Sequence, residues 1–135
     1  MARPDPARRP AWAVVVGIDD FRGVYAARTL ARHSVPVLGI ARNSKSYGVR
    51  TRACNKVVSV KTDREMVDWL IEEGPSFESK PVVIPCNDDV VRALSADRSR
   101  LDPWYRLSLP PQDVLDMVTD KVQFAEFAQQ HGLPV

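Results

Sequence analysis

Short apolar segments alternate along this chain with segments of helical periodicity, and this alternation constrains the fold more than any other feature. Strand-like runs, each apolar throughout, are predicted at residues 13–18, 36–41, 57–60 and 81–85. Between them, apolar residues recur at helical spacing around residues 24–31, 66–71 and 90–96. Strands of this composition are typically buried on both faces, and each connection is long enough for a crossover. The pattern predicts an α/β domain, a Rossmann-like open parallel sheet with helices on both faces and right-handed connections.

After residue 97 the alternation stops and two further helices are predicted. Pro110 and Pro111 precede a short helix at residues 113–118. Asp120 then has the position of an N-cap, with Gln123 at the capping-box position and Gly132 as the C-terminal stop. We therefore expect three parts, namely a disordered basic and Pro-rich tail at residues 1–11, the α/β domain at 12–109, and a C-terminal helical extension at 110–135.

Composition excludes several classes of protein. The 135 residues are enough for one domain, and a hydrophobic content of 44% excludes a disordered chain. Two cysteines cannot form a disulfide framework, which favours a reduced, cytoplasmic compartment, and no apolar run is long enough to predict a membrane span. The two histidines stand far apart, and no Ser-His-Asp or Cys-His grouping is visible, so neither a metal site nor a catalytic residue is predicted.

Charge is unevenly distributed along the sequence, although the net charge is only +2. Residues 21–62 carry nine Lys and Arg and no Asp or Glu, whereas residues 63–135 carry seven basic and fourteen acidic groups. An anionic ligand, an acidic partner face and pairing between the two halves of the fold all explain this pattern. Nucleic acid is disfavoured, because Arg22, Arg28, Arg32 and Lys61 lie on or beside regular elements and need not form one surface.

The predicted topology indicates where a ligand would bind. In an open parallel sheet, ligands lie at the carboxyl ends of the strands, where the strand order reverses, and the loops after the first and fourth strands should flank that crevice. Asp19 and Asp20 stand where phosphates would lie, and the loop lacks the G-x-G-x-x-G pattern, so a dinucleotide is not expected. A tight turn and helix caps explain these loops equally well. The candidate substrate-binding residues are Gly17, Asp19, Asp20, Phe21, Arg42, Ser44, Asn87 and Asp88.

Sequence motifs in the C-terminal third resemble the entry to an ATP-grasp fold. The segment 109–121, which ends in Asp120-Lys121, is followed by a helix and by Gly132-Leu133-Pro134, the Gly-(Ile/Leu/Val)-Pro pattern of that superfamily. Upstream, residues 83–89 resemble its segment with Pro and Asp after the fourth strand, residues 99–101 its following helix exit, and residues 51–55 its Ser-Arg-Tyr-Cys-Asp segment. The chain is similar to the N-terminal, pre-ATP-grasp domain of a carboxylate–amine ligase, in the group of D-aspartate ligase-like and carbamoyl-phosphate-synthase-like enzymes.

This resemblance implies a reaction mechanism and implies which part of the enzyme binds each reactant. A carboxylate is activated by ATP as an acyl phosphate, which an amine attacks, and Lys121 corresponds to the lysine that contacts the ATP phosphates in several members. ATP and Mg²⁺ belong to the full-length enzyme, with none expected on this fragment. The expected partners are a small carboxylate or amino acid and the ATP-grasp domains that should follow Val135. A homodimer is compatible with the resemblance. Alone, the chain should be inactive. The alternative is a free-standing flavodoxin-like or receiver-like module that binds a small ligand or signals.

Overall fold

A five-stranded parallel sheet forms the centre of the molecule. The computed structural model describes residues 10–134, so most of the tail predicted at residues 1–11 lies outside the described residues. The strands are β1 (Ala13–Val16), β2 (Val37–Ala41), β3 (Lys56–Ser59), β4 (Val82–Pro85) and β5 (Arg106–Leu107). Their order is β3-β2-β1-β4-β5, and every neighbouring pair is parallel. The prediction of a Rossmann-like open parallel sheet is confirmed.

Strand order explains the distribution of apolar residues among the strands. Every residue of β1 and β2 is buried, because β1 is central and β2 lies between β1 and β3. The edge strand β3 begins with the exposed Lys56 and ends with the exposed Ser59. Charged and polar residues suit an edge strand, since they discourage pairing with another chain. Only the four strands with a run of apolar residues were predicted, because β5 has two residues and the first, Arg106, is exposed.

Six helices connect and extend the sheet in the part of the chain described. They are α1 (Phe21–Arg32), α2 (Asp63–Glu73), α3 (Asp88–Ala96), α4 (Arg98–Leu101), α5 (Gln112–Thr119) and α6 (Lys121–Gln130). Two short 3₁₀ turns, Tyr47–Arg50 and Gly74–Ser76, lie in the connections. No helix within residues 10–134 has both the length and the apolar character needed to cross a membrane.

Hydrophobic side chains cover both faces of the sheet. On one face, Val15 and Val37 pack with Ala27 of α1. On the other, Val14 and Val16 pack with side chains of α2 and α3 in a larger cluster that includes Leu70. The buried Tyr105, just before β5, donates a hydrogen bond from its hydroxyl to the carbonyl oxygen of Leu70 at 2.6 Å. The prediction of helices on both faces is confirmed.

The strand order also decides between two α/β topologies. The observed order corresponds to the 3-2-1-4-5 core of the Rossmann arrangement, whereas flavodoxin-like and receiver-like domains have the order 2-1-3-4-5. The two differ in whether the chain crosses to the other side of β1 after the second or the third strand. The alternative of a flavodoxin-like or receiver-like module is therefore wrong at the level of topology.

The C-terminal extension is a pair of helices, as predicted. Asp120 caps α6 by accepting hydrogen bonds from the backbone N–H groups of Val122 (2.9 Å) and Gln123 (3.0 Å). The predicted capping box does not form, because the N–H of Asp120 is donated to the last turn of α5 and Gln123 contacts the Asp120 carboxylate instead. After α6 the chain turns at Gly132, which has a φ of +65°, and Leu133 donates its N–H back to Ala128.

Candidate functional site

The loops after β1 and β4 meet at the carboxyl end of the sheet, as the sequence predicts. The N–H of Cys86 donates to the carbonyl of Val16 at 3.0 Å, and that of Gly17 donates to Ile40 at 2.9 Å. A Cβ built on Gly17 would lie 3.3 Å from the side-chain amide nitrogen of Asn87. This is the position at which the strand order reverses, where open α/β sheets bind ligands.

Two glycines allow the loop after β1 to pass so close to its neighbours. Gly17 has a φ of +106°, a backbone conformation that residues other than glycine rarely adopt. Gly23, in the first turn of α1, packs directly on the backbone carbonyl of Gly17, and a Cβ there would overlap it. The spacing between these glycines is not that of G-x-G-x-x-G, yet Gly23 performs the task of close helix–strand packing that the third glycine of that pattern performs.

Asp19 holds the loop after β2 against the loop after β1. Its carboxylate accepts hydrogen bonds from the backbone N–H groups of Arg42 (3.1 Å) and Asn43 (2.9 Å), and the Ser46 hydroxyl lies 3.5 Å away. These donors orient the carboxylate toward the protein. Asp19 therefore has the structural contacts that the turn interpretation predicts, and its contact with a substrate stays a prediction.

Asp20 is the N-cap of α1. It accepts a hydrogen bond from the Arg22 N–H at 2.9 Å, and its carboxylate forms an ion pair with the Arg22 guanidinium at 2.7 Å. The side-chain hydrogen bond from Arg22 lowers the pKa of Asp20 below its usual value. One of the N–H groups at the start of α1 is therefore already satisfied by the protein itself.

Asn87 combines a structural contact with a free donor. Its Oδ1 accepts a hydrogen bond from the Val90 N–H at 2.9 Å and so caps α3. Within residues 10–134 its amide nitrogen has no hydrogen-bond partner, and this nitrogen lies beside Gly17 in the crevice. Asp88, in the first turn of α3, is exposed. Of the predicted residues, Asn87 best combines a fixed position with an available donor.

An ion pair between Arg42 and Asp63 crosses the crevice. Arg42 follows β2, and Asp63 is the first residue of α2, which begins shortly after β3. Sequence reasoning included Arg42 and missed Asp63, although a carboxylate placed soon after a strand at this end of the sheet was the available signal. Because Asp63 partly neutralises Arg42, the guanidinium is less available for an anionic ligand than predicted.

The cavity enclosed by these groups is small. Gly17, Asp19, Arg42, Asp63 and Asn87 contribute to its lining, and its volume is about 10 Å³. That space suffices for about one water molecule and cannot enclose an amino acid or a nucleotide. A substrate at this end of the sheet would therefore lie above the cavity, on the open surface of the crevice.

Three further predicted residues lie at the surface. Phe21, the first residue of α1, is 72% exposed, an unusual exposure for a phenylalanine at the mouth of a crevice. Ser44 is exposed in the loop after β2. Lys121 is exposed at the first position of α6, and within the described residues no hydrogen bond or ion pair joins it to the crevice. The structure thus leaves Lys121 apart from the predicted residues that it brings together around one cavity, which are Gly17, Asp19, Arg42 and Asn87.

Neither cysteine has the environment of an activated nucleophile. Cys54 and Cys86 are both half-buried, and burial raises the pKa of each thiol. Residues 10–134 contain no cluster of three or more His, Cys, Asp or Glu side chains that could hold a metal ion. The Asp19 and Asp20 carboxylates at the loop after β1 carry the same sign of charge as phosphate oxygens, so this loop does not favour the phosphates of ATP.

The acid-free segment at residues 21–62 remains largely unpaired. Only Arg22 and Arg42 of its nine basic residues form ion pairs within residues 10–134. Pairing between the two halves of the fold, one of the three explanations considered, therefore accounts for only one contact, that of Arg42 with Asp63. The explanations that require an external anion or an acidic partner remain.

These features define a Rossmann-like α/β domain with a crevice at the point of strand reversal and a helical extension. No known family profile matches the sequence, and no curated protein matches it either. Among solved structures, the fold is similar to that of the L-amino acid ligase from Bacillus licheniformis, with a TM-score of 0.65 and 12% sequence identity. The match covers 96% of this chain and 32% of the ligase chain, so the chain spans about a third of that protein's length. The likeness to a ligase domain that the sequence motifs indicated is thus found again in the fold.

Proposed function

We propose that this chain is the N-terminal, substrate-side domain of an ATP-dependent carboxylate–amine ligase. Two independent observations support the proposal. The motifs at residues 83–89 and 109–134 follow the order and spacing of pre-ATP-grasp domains. The fold similarity to an L-amino acid ligase extends over 96% of the chain and so includes most of the helical extension as well as the sheet. The second observation carries the proposal, because it does not depend on the short motifs.

The proposed reaction transfers the terminal phosphoryl group of ATP to a substrate carboxylate, which gives an acyl phosphate and ADP. An amine then attacks the carbonyl carbon, inorganic phosphate leaves, and an amide bond forms. Bound ATP and Mg²⁺ would supply and neutralise the phosphoryl group, and other domains would hold them, since the cavity at the crevice is too small for a nucleotide.

The residues of this chain would bind and orient the carboxylate or amino acid substrate. The free amide of Asn87 would donate a hydrogen bond to it, and the exposed ring of Phe21 would cover its apolar part. Lys121, a flexible point charge at the start of α6, would contact the ATP phosphates when the following domain closes on the extension. The exposed apolar residues of α5 and α6 suit such a domain contact: Val118, Val122 and Phe124.

Product analysis in the full-length protein tests this proposal. The protein is incubated with ATP, Mg²⁺ and a panel of amino acids, and we expect release of ADP and phosphate that depends on an amino acid pair. Lys121→Ala should raise the KM for ATP roughly 10-fold or more, as expected for the loss of a charged phosphate contact, whereas Lys61→Ala, an exposed lysine near α2, should leave it unchanged. Release of AMP and pyrophosphate, or no turnover with any amino acid, would refute the proposal.

Asn87→Asp tests the crevice separately. Asp retains the oxygen that caps α3 but removes the amide donor, so the melting temperature should change little. We expect the KM for the substrate carboxylate to rise roughly 10-fold, because an unpaired carboxylate would face it. An unchanged KM would show that Asn87 serves only as a helix cap.

Location and assembly follow from the same proposal. An ATP-dependent enzyme with free thiols at Cys54 and Cys86 suits the cytoplasm, where both are maintained. Gel filtration of the full-length protein would show whether a homodimer forms.

A further inference from the structure

Four arginines surround an open groove on the surface of the molecule. Arg28 and Arg32 stand one turn apart on α1, Arg50 ends the 3₁₀ turn Tyr47–Arg50, and Arg52 lies in the connection between that turn and β3. Ala31, Thr51 and Ala53 complete the lining, and the groove has a volume of about 600 Å³. That volume is within the range of small-ligand sites, and it is far larger than the cavity in the crevice.

The groove shares no lining residue with the cavity at the crevice, and two of its arginines lie toward the opposite end of the sheet. Helix α1 begins at the crevice, after β1, and runs back along the sheet, so its last turn with Arg32 reaches the amino ends of the strands. Arg52 lies four residues before β3 and therefore also precedes the amino end of its strand. A ligand in the groove would not occupy the substrate crevice, so this inference does not depend on the proposed function.

Backbone contacts hold the two arginine pairs in place. Thr51 donates its N–H to Gly48 at 3.1 Å, and its hydroxyl accepts a hydrogen bond from the N–H of Ala53 at 3.3 Å. Arg28 and Arg32 are spaced by one turn of a regular helix, which places them on one side of α1. The four guanidinium groups therefore project from backbone of defined conformation.

Within the part of the chain that the structure describes, no carboxylate pairs with these arginines. No carboxylate lines the groove, and none of the four forms an ion pair within residues 10–134. Four cations that share one groove repel one another, and this repulsion is relieved by an anion. The acid-free segment at residues 21–62 thus supplies the four arginines that the fold places around one groove.

We propose that Arg28, Arg32, Arg50 and Arg52 form a binding site for a ligand that carries two or more phosphate groups. The planar guanidinium binds phosphate oxygens through two parallel hydrogen bonds, and one phosphate carries up to two negative charges. A groove of about 600 Å³ with four cations is matched by a compact ligand of high charge density. An acidic peptide carries only one charge per side chain and would need a longer surface to reach the same charge.

Calorimetric titration of the full chain with tripolyphosphate tests the site. We expect saturable binding at low salt, weakened by roughly 10–100-fold in the double variant Arg32→Ala/Arg52→Ala, which removes one guanidinium from each pair. Arg64→Ala/Arg92→Ala is the matched control, because it removes the same charge from exposed helical arginines elsewhere. When the titration is repeated at about 0.1 M salt, where charges more than about 10 Å apart are largely screened, the affinity of this control should remain within about twofold of that of the unmodified chain.

Two further probes identify the source of the phosphate groups. Tighter binding of a short oligothymidylate than of tripolyphosphate, with the same arginine dependence, supports the site and identifies nucleic acid as the phosphate source. Tighter binding of tripolyphosphate supports the site and identifies a small polyphosphorylated molecule. The proposal is overturned if tripolyphosphate does not bind at low salt, if the control variant loses as much affinity as the groove variant, or if polyglutamate binds more tightly than both phosphate probes.

Discussion

The two ends of the parallel sheet use their charged residues in opposite ways. At the carboxyl end, Asp19, Asp20 and Asp63 each contact a backbone N–H or an arginine of the protein itself. At the amino end, Arg32 and Arg52 share an open groove in which no carboxylate is present. The crevice is where topology predicts a ligand, yet most of its polar groups already have partners.

This difference separates charges that hold the fold together from charges that are available to a ligand. A carboxylate that caps a helix or accepts two backbone N–H groups stabilises the native state, and its removal should lower the free energy of unfolding. Cations that have no partner contribute little to folding, and their removal should affect binding alone. The predictions below test this separation at both ends of the sheet.

Gly23→Ala should have the largest effect on the crevice end. The added Cβ overlaps the backbone carbonyl of Gly17, which cannot move without displacing β1. We expect the free energy of unfolding to fall by about 3 kcal/mol or more, at the upper end of overpacking effects, measured by chemical denaturation.

Gly132→Ala is the matched control for that substitution. At this position the Cβ meets no atom within 4 Å, and only the φ of +65° opposes it, so a loss of about 1 kcal/mol is expected. Equal losses in the two variants would show that the close approach of α1 to the loop after β1 is not needed for stability.

The Arg42–Asp63 ion pair should give the next largest effect. The Arg42 and Asp63 side chains are 44% and 34% exposed, so the contribution of the pair lies between those of surface and buried pairs. We expect Arg42→Ala and Asp63→Ala each to destabilise by about 1–2 kcal/mol. The double variant should lose less than the sum of the two, by roughly 0.5–1 kcal/mol of coupling. Additive losses would show that the pair contributes nothing as a pair.

The sheet was predictable from the sequence because each of its four longer strands contains a run of apolar residues. Strand β1 nevertheless ends at Val16 and not at Ile18, since Gly17 turns the chain with a positive φ. Strand β5 was missed because two residues, of which Arg106 is exposed, carry no periodic signal. Periodicity therefore locates the elements that bury apolar side chains and misses those formed by backbone pairing alone.

The position of the crevice was predictable, but the contacts that its residues make were not. Topology alone places the loops after β1 and β4 together. Whether Asp19 contacts a ligand or the N–H groups of residues 42 and 43 depends on loop conformation, which no pattern of residue types encodes. The arginine groove escaped prediction for a related reason, because Arg32 and Arg52 are distant in sequence and only the packing of α1 beside the loop before β3 brings them together.

Two substitutions of Asp20 distinguish its contribution as an N-cap from the contribution of its negative charge. Asp20→Ala should cost about 1 kcal/mol, the usual value for the loss of an N-cap, whereas Asp20→Asn keeps the capping oxygen and should cost less. The Arg22 guanidinium lowers the pKa of Asp20 below its ordinary value of 3.8. The charge therefore stabilises the native state above that value, and its contribution is lost as the pH falls through the lowered pKa.

Thermal unfolding between neutral pH and pH 2 measures this difference. The advantage of the unmodified chain over Asp20→Asn should be present at neutral pH and should vanish at the acidic end. A difference between the two proteins that persists at the acidic end would contradict an electrostatic role for the carboxylate.

Arg32→Ala/Arg52→Ala should have the smallest effect on stability, and this is what most sharply distinguishes the two ends of the sheet. These arginines have no ion-pair partner within residues 10–134, so their loss should change the free energy of unfolding by at most about 0.5 kcal/mol, with a slight gain where repulsion is relieved. Tripolyphosphate at 100 times its dissociation constant should stabilise the unmodified chain by about 2.7 kcal/mol, and the double variant much less. A substantial loss of stability without any ligand would instead mean that the groove arginines, like the crevice carboxylates, are part of the fold.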